Sequence, residues 1–121
     1  MTLFTGVQLL WVTNYWDCPL EGLCCVNGIR HWFKIDNPFE DEAGPNKYYL
    51  ISLTDDELKE IDKRHELFQN YVGTHWDYTD NKRGGVVRPE SEWHKFYDIY
   101  PSRNKLRFDK QPIGCFKWPE R

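Results

Sequence analysis

The side chains able to do chemistry in this sequence are few and scattered. Cys18, Cys24, Cys25 and Cys115, with His31, His65, His75 and His94, make up the inventory for metal binding or nucleophilic catalysis. Zinc sites bring ligands in close pairs such as C-x-x-C or H-x-x-x-H, and neither spacing occurs. Adjacent Cys24 and Cys25 would point to opposite sides of an extended strand and cannot both grip one ion. Cys24 and His31 can meet across a hairpin, which offers two metal ligands without a third, or a thiolate with its base. Both would then lie mid-strand on a core face, where burial raises a thiol pKa and keeps substrate out. Small buried thiols that pack as apolar residues are the preferred reading. No G-x-S-x-G turn, G-x-x-x-x-G-K-[ST] or G-x-G-x-x-G loop is present, and Glu40-Asp41-Glu42 lacks the alternation of a calcium loop. The sequence therefore predicts no catalytic residue, no metal and no cofactor, and leans away from an enzyme.

The stretch 74–88 (THWDYTDNKRGGVVR) has no clear period and is long for a loop inside a small domain. His75 with Asp77 or Asp80 can form an acid/base pair, although anchoring of the loop by its aromatic residues is preferred. Lys82-Arg83-Gly84-Gly85 offers cations and free backbone amides to an anion. Arg88, Arg103, Lys105, Arg107 and Lys110 follow within the same basic half. Trp76, Tyr78 and Trp93 can act as stacking platforms beside them. The candidate binding residues are accordingly His75, Trp76, Asp77, Tyr78, Lys82, Arg83, Trp93 and His94.

Elements must position these residues, and the composition says of what kind. With 121 residues the chain is expected to be a single compact domain spanning 1–121. Aromatic residues make up 17% of it, enough for a few large side chains to build the core despite a modest aliphatic content. No apolar run is long enough to span a bilayer, and no leader is visible at the N-terminus, which predicts a cytoplasmic location and reduced thiols. The formal net charge of −3 argues against general nucleic-acid binding. From 36 to 66 there are ten acidic and four basic residues; from 81 to 121 there are ten basic and five acidic. Pairing of these halves within the chain, or plain solvation, is the expected use.

Val7 to Trp16 reads as a strand, apolar on both faces and so expected at the centre of a sheet. Asp17 to Gly22 supplies turn chemistry. Leu23–Val26 and Ile29–Ile35 flank Asn27-Gly28, the pair a two-residue type I′ hairpin requires, which sets Val26 opposite Ile29, Cys25 opposite Arg30, Cys24 opposite His31 and Leu23 opposite Trp32. Val26, Cys24, Ile29, His31 and Phe33 would form the core face. Asp36 to Asn46 is an acidic loop and Lys47 to Leu53 the next strand, giving a meander. Thr54 and Glu57 form a capping box for a helix over 54–72, with Leu58, Ile61, His65, Phe68 and Val72 as its stripe and Gly73 at its end. A shorter helix is expected over 89–100, halted by Pro101, and strands over Lys105–Asp109 and Ile113–Trp118. The fold class is α+β: a curved antiparallel sheet of about five strands, with closure into a small SH3-like barrel left open, plus two helices.

The function this profile suggests is a small, soluble, non-catalytic interaction protein that binds another protein, in the manner of an inhibitor or immunity protein. Surplus Tyr and Trp are favoured anchors of such surfaces. The alternatives are a small-molecule or nucleotide binder, with an enzyme among the options and a pocket between the sheet and loop 74–88, and an aromatic-lined module for carbohydrate or peptide. The partner is expected to be a protein, or else a small anionic ligand, with no membrane and no nucleic acid.

Overall fold

A computed structural model of the chain describes residues 1–15, 19–36, 46–73, 76–77, 87–100, 108 and 110–118. The elements are β1 (Gln8–Tyr15), β2 (Pro19–Val26), β3 (Ile29–Ile35), β4 (Asn46–Ser52), α1 (Asp55–Tyr71), the two-residue β5 (Trp76–Asp77), α2 (Glu90–Tyr97) and β6 (Gly114–Trp118). They divide into two compact units, Met1–Leu53 with Lys110–Arg121, and Thr54–Asp109. None of the described helices is long and apolar enough to cross a membrane.

In the first unit, β1, β2, β3, β4 and β6 form an antiparallel sheet in that order, so the expected meander is present and the fold is α+β. The hairpin register follows the sequence reading pair for pair from Leu23 opposite Trp32 to Val26 opposite Ile29, and continues beyond it to Glu21 opposite Lys34. Asn27 (φ 52°) and Gly28 (φ 78°) both occupy the left-handed region that a type I′ turn demands. One sequence expectation is corrected: Pro19 to Gly22 is strand rather than turn. Pro19 opens the strand, where a missing N–H costs no ladder bond.

The sheet is open, not a barrel, yet it is strongly curled. Phe4 N–H donates to Cys115 O (2.8 Å), and Cys115 N–H donates to Thr2 O (2.9 Å), so residues 2–4 run along β6 with Leu3 bridging Cys115 in parallel. Four residues later Gln8 pairs with Cys25 of β2. Four residues span about 14 Å at full stretch, whereas the five intervals separating these positions in a flat sheet add to about 24 Å. Only a curled sheet lets both pairings exist.

Two glycines permit that curl. At Gly22 a Cβ would sit 2.3 Å from Trp11 O and 2.9 Å from Val12 Cα; at Gly114 it would sit 2.3 Å from the Phe4 ring and 2.6 Å from Thr2 O. Backbone and ring thus occupy the space a side chain would fill. The β1–β2 register shifts between Leu9 and Trp11 and again after Val12. Strict alternation would place Leu9 with Trp11, but the bulge puts Leu9 with Val12 on the inner face and Trp11 opposite Leu23 on the outer.

The inner face holds the core: Leu9, Val12, Cys24, Val26, Phe33, Tyr48, Leu50 and Phe116 are all buried. Tyr48 and Phe116 stack (5.2 Å between centroids) and Phe33 meets both edge-on. The Tyr48 hydroxyl reaches past β3 to donate to Pro19 O of β2 at 2.7 Å, which satisfies it in the interior. The hairpin does not have a single core face, however. Leu23, Trp32 and Ile51 on the outer face are buried as well, while Ile29 is 62% exposed and His31 half-buried. Burial follows position along the strands: both faces are covered mid-hairpin, and the tip beside the turn lies beyond the core.

The chain leaves the sheet after β4 and rejoins it before β6 at neighbouring points. Ile113 N–H donates to Leu50 O, and Lys110 Nζ to Ser52 O, each at 2.8 Å. Residues 54–109 between them are the second unit. Its α1 starts at the predicted capping box: Glu57 N–H donates to Thr54 Oγ1 (3.2 Å), and Thr54 N–H to Glu57 Oε1 (2.9 Å). Gly73 N–H closes the far end on Phe68 O. α2 stops at Tyr97, three residues short of expectation, and the chain beyond it tightens where Ile99 N–H turns back to Phe96 O in an i→i−3 bond. The residue before a proline is disfavoured in helical conformation, and Tyr100 precedes Pro101. Val72, Phe96 and Tyr100 form the small core, flanked by Leu67, Phe68, Tyr71, Trp93 and Tyr97. The expected strand over Lys105–Asp109 lies outside the described residues save Phe108.

Candidate functional site

Of the eight residues singled out by sequence, His75, Tyr78, Lys82 and Arg83 lie outside the described residues, and Trp76 and Asp77 are described by backbone alone. Trp93 is half-buried against the Val72–Phe96–Tyr100 cluster, and its indole Nε1–H donates to Arg88 O at 2.8 Å. His94 is exposed, with Nδ1 at 2.8 Å from Ser91 O of its own helix. Arg88 spends its donors on the C-terminal end of α1: its N–H meets Val72 O (2.8 Å), and Nε meets Gln69 O (3.2 Å). These are carbonyls the helix itself cannot pair. Val87 forms a single bridge with Gly73.

The Cys24–His31 pairing exists as register predicts, but not as chemistry. Burial, reinforced by neighbouring Cys25, pushes the Cys24 thiol far up from its usual value near 9, and His31 Nδ1 sits 2.9 Å from Ile29 O. Among the described residues no group of three or more His, Cys, Asp or Glu is placed to hold a metal ion.

A measurable consequence follows for alkaline solution. The folded thiol stays protonated while the unfolded one ionises, so the native state binds more protons and stability falls as pH rises. The contribution is fully present below about pH 9 and is lost above it at about 1.4 kcal/mol per pH unit. Urea titrations between pH 8 and 11 should therefore show a steeper decline for the native chain than for Cys24→Ala. Equal slopes would contradict the burial of this group.

The exposed arrangement with most chemical content is one that sequence inspection missed: the solvent-facing part of the outer face of β3, β4 and β6. Opposite residues share a face, so the register builds a row from Glu21 through Lys34, Tyr49 and Cys115 to Leu3, with a second row of Lys47 opposite Lys117. Lys34, Lys47 and Lys117 are exposed, Leu3 is 58% exposed and Tyr49 half-buried. Three cations from three adjacent strands thus surround one aromatic ring and one leucine.

A hydrogen bond to Asp36, with smaller help from desolvation, pushes the Tyr49 hydroxyl above the ordinary tyrosine value. Asp36 also pairs with Lys47 at 3.6 Å, and Lys47 lies 5.6 Å from the Tyr49 ring centre. Lys34 and Lys117 make no ion pair or hydrogen bond among the described residues. The signal was present in the strands KYYLIS and GCFKW, where Lys47, Tyr49, Cys115 and Lys117 alternate, but the pairing of β4 with β6 across a 61-residue gap is not visible in either segment alone.

Comparison of the chain with protein-family models, curated proteins and solved structures finds no match. What the fold defines is an open-sheet α+β protein with a second α-helical unit carried between its last two sheet strands.

Proposed function

We propose that this is a small non-catalytic interaction protein that binds another protein through the outer face of β3, β4 and β6. The observation that supports it is the Tyr49 ring, beside Lys47 and bordered by exposed Leu3 and three exposed lysines. A rigid tyrosine contributes contact area at low cost in side-chain entropy, and surrounding charges steer encounter and fix register. The buried, high-pKa Cys24 and the core-packed Trp93 leave those two side chains without a catalytic part to play.

A photo-crosslinking residue placed at Tyr49 in the expressing cell tests this. The expected result is one discrete protein adduct that excess native chain competes away, with none from the same probe at Glu66 on α1. Absence of a competed adduct, or a thermal shift of several degrees from one compound of a nucleotide and metabolite panel, would overturn it in favour of a small-molecule binder.

A further inference from the structure

We infer that the partner presents a short, extended, carboxylate-rich segment to Lys34, Lys47 and Lys117, and sets an apolar side chain against Tyr49 and Leu3. This deepens the protein-binding reading and rests on it. Lys47 and Lys117 stand directly opposite each other in the β4–β6 ladder, an arrangement of like charges that destabilises a sheet unless something negative joins it. Asp36 answers Lys47 and Glu21 stands opposite Lys34, while Lys117 has only Lys47 opposite it. The local excess is not a reflection of overall charge, because the chain is net negative.

The dimensions favour a peptide. β3 and β6 are separated by two strand intervals, about 10 Å, and carboxylates at alternate positions of an extended chain recur at about 6.8 Å. Two or three such groups cover the three ammonium heads. Lys34 shares the Tyr49 row while Lys47 and Lys117 form the adjoining one, so the segment runs obliquely across both, with its apolar residues beside Tyr49 and Leu3. A nucleic-acid backbone is the weaker match. Its affinity rests on many neutralised phosphates along a continuous track, whereas this patch is bounded by Glu21 at one end of its row and by Asp36 beside Lys47.

The test is an amide-resolved NMR titration of the full chain with two synthetic peptides and a nucleic acid. The probes are Ac-Glu-Leu-Glu-Phe-Glu-amide, its Gln-Leu-Gln-Phe-Gln counterpart, and a short oligothymidylate. The glutamate peptide is expected to shift the amides of residues 34, 47, 49 and 115–117, and the glutamine peptide to leave them in place. Affinity should fall roughly tenfold between about 0.05 and 0.5 M salt, as exposed charges are screened. The double variants Lys34→Glu/Lys117→Glu and Lys34→Gln/Lys117→Gln should both lose the response while remaining folded, since both lysines are exposed.

Equal binding of the two peptides, or tighter binding of oligothymidylate, would overturn the inference. So would a response in which neutralising Glu40, Asp41 and Glu42 moves the same amides and added peptide does not, which would assign the lysines to the chain's own acidic segment. If the Tyr49 crosslink still captures a competed protein while the glutamate peptide fails, the carboxylate chemistry is wrong and the protein-binding reading stands. If the crosslink fails as well, both fall.

Discussion

Gly22→Ala is expected to cost the sheet unit about 3 kcal/mol or more, the upper range for overpacking at a site that cannot relax. The added Cβ would lie 2.3 Å from Trp11 O and 2.9 Å from Val12 Cα. Both neighbours are backbone, so no rotamer change relieves the clash. β1 would have to retreat from β2, taking Leu9 and Val12 out of the inner core. Gly6→Ala is the control. Its φ of +68° carries the usual left-handed penalty of about 1–2 kcal/mol, yet nothing lies within 4 Å of the new methyl. Urea unfolding of the two variants should separate them clearly. A Gly22→Ala cost no larger than that of Gly6→Ala would mean β1 does not approach β2 as closely as described.

Phe96→Ala is expected to remove about 3–5 kcal/mol from the second unit, the range for deleting a buried phenyl ring. Phe96 is the hub of that unit: its ring lies 5.3 Å from Phe68, 5.2 Å from Tyr97 and 5.2 Å from Tyr100. Phe68 belongs to α1, so the ring also joins the two helices. Its carbonyl accepts from Ile99 and Tyr100, but those bonds survive the truncation. Hydrogen exchange should then show faster exchange over 90–100 in the alanine variant and a much smaller change in Phe96→Leu. Unchanged exchange in Phe96→Ala would place the unit's core elsewhere.

The local grammar of the chain was legible wherever one segment holds its own answer. Asn27-Gly28 fixed a hairpin register that the structure repeats residue for residue, and Thr54 with Glu57 announced the start of α1. What local pattern could not carry was any feature requiring two distant segments. The β4–β6 pairing, the N-terminal segment along β6 and the bulge that moves Val12 to the inner face all depend on partners far away in sequence. The lysine-and-tyrosine face was hidden for the same reason, since Lys34, Lys47 and Lys117 are neighbours only once three strands are in register. Arg88 illustrates the converse. As a residue in a basic half it suggested an anion site, and its donors instead satisfy the end of α1.

The strand order also has a bearing on how the chain acquires its structure. Hairpin β2–β3 and its neighbours β1 and β4 form through local contacts, and such contacts arise early because little loop entropy must be lost to make them. β6 can join β4 only after residues 54–109 have been made, and Leu3 can find Cys115 only once the intervening 111 residues exist. During synthesis residues 2–4 therefore wait for β6, which is made well after the meander. Until β6 is made, the β4 edge that will receive it lacks that partner strand. The waiting edge carries Lys47 and the strand's remaining polar ends, a charged border of the kind that discourages pairing with other chains.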